Sequence, residues 1–192
     1  MSAWRRWLIV VVVVVVVVVG AAVSAGQHGH GAAAAAADDA ATLQSRQLAA
    51  APALAGGGGE ELDGRRAAAL AADLATRVPL PAGGNFNGIQ WGDLDGTIGA
   101  ALVQEVVEYN AACQWYRALR DGRGVADARR VIVDLPGWQG IRGHATGDLA
   151  AGVAADVAAG GGDVLTGVLR QCDAAHQREV AYAAANGKAG ER

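Results

Sequence analysis

From residue 60 onward, apolar positions recur at intervals of three and four, the spacing that gathers side chains on one face of an α-helix. Leu62, Leu70 and Leu74 mark a first helix over Glu60–Val78. Glu60, Glu61 and Asp63 fall in its first turn, where the helix dipole favours acids. Gly64 weakens its start and Pro79 ends it. Ile98, Leu102, Val106, Tyr109, Cys113 and Tyr116 form the longest stripe and predict a helix over Thr97–Asp121. Asp95 or Thr97 can cap it, and Gly122 is a natural stop. Val125, Ala128, Ile132 and Leu135 predict a shorter helix ended by Pro136-Gly137, with Trp138 in the next turn as a lid on the core. Gly147–Val153 resembles Gly162–Val168, but two copies are too few for a repeat array. Both read as helix starts, with Asp148 and Asp163 near the caps. The last helix, Asp163–Ala185, carries Leu165, Leu169, Cys172, His176 and Val180 on one face, and Asn186-Gly187 closes it. No alternating strand pattern stands out. The expected fold is all-α, a small bundle of four or five helices.

The pattern changes completely at the N-terminus, where Leu8-Ile9 and ten valines, Val10–Val19, follow Arg5 and Arg6. From Trp7 to Ala25 the segment would span roughly 28 Å as a helix, just adequate for a hydrocarbon layer of about 30 Å. In lipid the backbone must satisfy its own hydrogen bonds, so even a valine run is helical there. Residues 1–25 are thus either a retained anchor, with the remainder outside the membrane, or a signal peptide cut after Val23-Ser24-Ala25. Residues 26–59, with Ala32–Ala37 and Gly56–Gly59, carry few large apolar groups to offset ordering entropy. They read as a flexible linker with transient helix around Thr42–Leu48. Residues 60–187 then form the domain, and residues 188–192 a disordered tail.

Charge and cysteine usage narrow the setting. The span 60–187 holds eleven arginines against sixteen acidic side chains, a sign that disfavours general nucleic-acid binding. Cys113 and Cys172 are the only cysteines, one on each of the two strongest helices. In an extracytoplasmic setting they most simply form one disulfide, which in the chain-entropy model stabilises the fold by about 4 kcal/mol. A redox-active pair is disfavoured by the absence of Cys-x-x-Cys spacing and of a nearby activating lysine.

Candidate chemistry is mostly eliminated. Asp93-Leu94-Asp95-Gly96-Thr97-Ile98 resembles the first motif of haloacid-dehalogenase-like phosphatases, which implies an aspartate nucleophile, an acid/base aspartate and magnesium in an α/β sheet. The later parts of that pattern do not follow. No serine comes after Ser45, the sole lysine is Lys188, and Ile89-Gln90-Trp91-Gly92 is a poor buried strand. The segment reads instead as an acidic turn before a helix. With serines only at 2, 24 and 45, outside the expected domain, a serine triad is excluded.

His144 with Asp148, and His176 with Glu179, sit one helical turn apart, and Glu105 and Glu108 could face them. A di-iron bundle needs Glu-x-x-His twice plus two more glutamates, and this chain offers the reversed order once. No intradomain metal or cofactor is therefore expected. Cleavage after Ala25 would leave Gly26-Gln27-His28 at a free N-terminus, a nitrogen set suited to square-planar Cu(II) or Ni(II). Arg117, Arg120, Arg123, Arg129 and Arg130 could form an anion patch, but helix-end dipoles and nearby acids explain them adequately.

What remains is a non-enzymatic binding or structural module of the cell envelope, membrane-tethered or secreted, contacting a protein or polymer. The expected contact surface is the Pro79–Gly96 connection with Phe86 and Trp91, together with Trp138, because long irregular connections in compact domains are often functional. The competing class is a carboxylate- and histidine-dependent metal-binding protein or hydrolase.

Overall fold

The structure is a computed structural model that describes residues 40–51, 60–91 and 96–191. Of these, 67% are helical, in six helices, so the bundle expected from periodicity is present with one helix more than the pattern announced. The extra helix, α1, covers residues 40–50. It belongs to the stretch read as linker, yet Thr42 and Ser45 are buried and Ser45 Oγ accepts from the indole Nε1 of Trp138 at 3.1 Å. Gln44 also donates to the carbonyl of Thr76 at 3.2 Å. Residues 40–191 therefore act as one compact unit, and the domain begins about twenty residues before Glu60. The valine run and the Gly26-Gln27-His28 site lie outside the described residues. Among the described residues no helix is long and apolar enough to cross a membrane.

The acidic start expected for the first helix is instead a strand residue pair. β1 (Glu61–Leu62) runs antiparallel to β2 (Ile98–Gly99), with Leu62 opposite Ile98. The bridge ties the starts of α2 (Gly64–Ala75) and α3 (Ala100–Arg120) together, and Ala100 N adds a bond to the carbonyl of Glu60 at 3.1 Å. Asp63 is the N-cap of α2, accepting from Arg66 N at 2.8 Å. α3 begins after Gly99 with no side-chain cap, so Thr97 does not cap it, and Asp95 lies outside the described residues.

α3 is the axis of the bundle, packing against α2, against α4 (Val125–Asp134) and against α6 (Asp163–Ala185). Every residue from Asn110 to Ala118 is buried. A helix enclosed on all sides has no single apolar stripe, and the expected one is displaced: Leu102 is 49% exposed while Val103 and Val107 are buried. Leu135–Gly137 form a 3-10 turn after α4, and α5 (Ala145–Ala158) precedes α6. The N-terminus of α6 has no cap of its own. Asp156 supplies one from α5, accepting from Val164 N at 3.0 Å. Gly122 and Gly187, both at positive φ, end α3 and α6 as expected, with Arg123 N bonded to Ala118 O and Lys188 N to Ala183 O. Cys113 and Cys172 are joined, Cα to Cα 5.3 Å, stapling α3 to α6.

Candidate functional site

Two polar side chains of α3 hold the 79–91 connection in place. The buried indole of Trp115 donates to the carbonyl of Pro79 at 2.9 Å. Gln114, fully buried, donates to the carbonyl of Asn85 at 2.7 Å and accepts from Asn85 N at 3.2 Å. A buried primary amide is satisfied in both directions by one backbone position, so the loop is fixed where Gln114 sits. Further on, Gly88 presses on α6. A Cβ there would lie 2.8 Å from the Cα of Glu179, so only glycine permits this approach. The held loop turns Phe86, Ile89 and Trp91, all half-buried, toward Ala68, Ala72 and Ala75 of α2 across an open cleft of about 580 Å³. Lys188, whose ammonium stands 6.0 Å from the Tyr182 ring centre, is the only titratable group in the cleft lining among the described residues.

On the other side of the loop lies a buried polar network. Arg117, 4% exposed, pairs through Nη2 and Nε with both oxygens of Glu191, the Nε contact being 3.2 Å, and donates to the carbonyl of Cys172 at 3.2 Å. Glu191 in turn lies 3.2 Å from His176 Nδ1. Asn110 donates to Glu179 at 2.9 Å and accepts from Gln114, joining this network to the loop. Asn87 donates to the carbonyl of Ala189 at 2.9 Å. Residues 188–191 are therefore packed against the domain rather than forming a free tail, because a buried guanidinium requires the carboxylate they bring.

The other sequence candidates have dispersed. Trp138 is 0% exposed, a core residue rather than a contact surface. His144 pairs with Glu105 at 3.5 Å, and Thr146 donates to the same carboxylate at 2.9 Å. Glu108 is buried and faces neither histidine. It accepts from Gln104 at 2.7 Å and from Gly140 N at 2.8 Å, and burial raises its carboxyl above the ordinary range. The arginine cluster is divided among acids. Arg120 pairs with Asp121 and Asp173, Arg123 with Asp121, and Arg130 with Asp127. The Arg120 guanidinium holds the Asp121 carboxyl below its usual range. Asp93 and Asp95 lie outside the described residues. Glu191 and Asn110 were missed by the sequence reading, since their partners stand 74 and 69 residues away and no local spacing announces them. No family model, no curated protein and no solved structure matches this chain.

Proposed function

We propose that this chain is a non-enzymatic binding module held outside a cell membrane, tethered by Leu8–Val19 or released after Ala25, and that it engages a protein or polymer of the envelope through the cleft between α2 and the 79–91 loop. The observation that carries this reading is the character of the cleft. Its described lining is mainly aromatic, aliphatic and alanine side chains with Asn85 and Asn87, and Lys188 is its single titratable group. Such a surface supports recognition by shape and apolar contact. The membrane and envelope parts of the reading rest on the N-terminal sequence pattern.

The test is site-specific photocross-linking in whole cells of the source organism. A photoreactive residue at Trp91 should give discrete adducts that a probe at Val164, exposed on α6, does not. Ile89→Asp should abolish them while leaving the circular dichroism spectrum unchanged. The same adducts from both positions, or none from position 91, would refute the cleft as the contact surface.

A further inference from the structure

Where α6 passes the 188–191 segment, three metal-ligating side chains meet. His176 and Glu179 stand at i and i+3 on α6, and Glu191 closes over them, with one ligand atom from each within 4.8 Å of the other two. His176 Nδ1 is buried and makes no hydrogen bond, although Glu191 Oε2 lies 3.2 Å away. Beside Glu179 and Glu191 is a water-sized cavity of about 10 Å³, also lined by Asn85 and Asn110.

We propose that His176, Glu179 and Glu191 bind a borderline divalent cation, with Zn²⁺ as its type. One imidazole nitrogen and two carboxylates are ligand types zinc accepts, in the number an open zinc site uses, and the cavity leaves room for one water as a fourth ligand. Ligands about 2.0–2.1 Å from a tetrahedral ion stand roughly 3.3 Å apart, so the widest separation in the cluster must contract by at most about 1.5 Å. Torsions of the long Glu179 and Glu191 side chains suffice for that. The carboxylates already have outer partners that orient them: Asn110 donates to Glu179, and the Arg117 guanidinium grips Glu191. Two carboxylates stand against one guanidinium in this half-buried place, a balance that favours a cation. The imidazole nitrogen disfavours Ca²⁺ and Mg²⁺, hard ions that take oxygen ligands. The site is independent of the cleft, because none of its three ligands lines that cleft.

Full-length protein, stripped with chelator and carrying His28→Ala and His30→Ala to remove the N-terminal histidines, is dialysed against Zn²⁺ and its metal content measured. One zinc per chain and a rise of several degrees in the thermal midpoint are expected. Glu179→Gln and His176→Ala should each lose at least tenfold in affinity, with the helical spectrum retained. Should either variant fail to fold, Co²⁺ bound to the unmodified ligand set provides the second measurement, and intense four-coordinate visible absorption is expected. No bound zinc, zinc retained by both variants, or a weak six-coordinate cobalt spectrum would each overturn the site and leave a purely structural ion-pair network.

Discussion

Glu108 is a fully buried carboxylate that the fold uses as a clamp, accepting from the backbone N–H of Gly140 and from Gln104 one turn back on α3. Gly140 comes so close to α3 that a Cβ there would lie 2.8 Å from the backbone of Gln104 and Glu105. Removing the carboxylate would orphan a buried N–H. Glu108→Leu is therefore expected to destabilise by about 1–3 kcal/mol, read as a lower urea midpoint at unchanged slope. Burial raises the carboxyl in the folded state, against the lowering effect of hydrogen bonds from Gln104, Gly140 and Ile141 and of the Arg142 charge. The folded protein then binds a proton more readily than the unfolded chain between the ordinary carboxylate value and the raised one. Stability carried by Glu108 must fall as pH rises through that window, the opposite sign to a salt-bridged acid. Urea midpoints across that range should show the decline in the native sequence and its loss in Glu108→Gln. An equal decline in both would place the effect elsewhere.

At the scale of elements, spacing alone located α3, α4 and α6 and where each stops, because apolar period, glycine stops and prolines all pointed the same way, although α3 starts at Ala100 rather than Thr97. It misjudged which face of α3 is inward. Gln104, Glu108, Asn110, Gln114 and Arg117 lie off the apolar stripe, yet all are buried, with partners supplied by Gly140, Asn85, Glu179 and Glu191. A periodicity argument counts such residues as solvent-facing and cannot know that distant loops satisfy them. The same blindness left α1 as no more than a transient helix around Thr42–Leu48, since its alanine-rich sequence has little apolar signal. Its place depends on Trp138, 93 residues away from Ser45. This makes the boundary testable. A chain beginning at residue 40 should unfold at the midpoint of the full protein, whereas one beginning at residue 60 exposes Trp138 and leaves its indole N–H unpaired. The shorter chain is expected to show a red-shifted tryptophan emission and a thermal midpoint lower by several degrees. Equal midpoints would return residues 40–50 to the linker.

For the molecule as a whole, the disulfide links the N-terminal sequence pattern to the stability of the domain. Cys113 and Cys172 are 4% and 0% exposed and close a loop across 59 positions, from the axial helix to the last one. α6 carries Glu179 and His176 of the buried network, and it is joined to α3 by this bond and by contacts from Asn110, Arg117 and Arg120. Loss of the cross-link is expected to lower stability by about 4 kcal/mol in the chain-entropy model, measured as the shift in urea midpoint between oxidised and reduced protein. Such a bond persists only where the redox environment is oxidising. If residues 1–25 direct the domain across a membrane, protein alkylated directly in cells should carry no free thiol. The same chain lacking residues 1–25 should remain in the cytoplasm, label at both cysteines and be cleared faster by proteolysis, since its unfolded fraction rises with the lost stability. Two labelled thiols in the full-length protein would break that link: the staple would then form only after extraction, and the valine run would have another purpose than export.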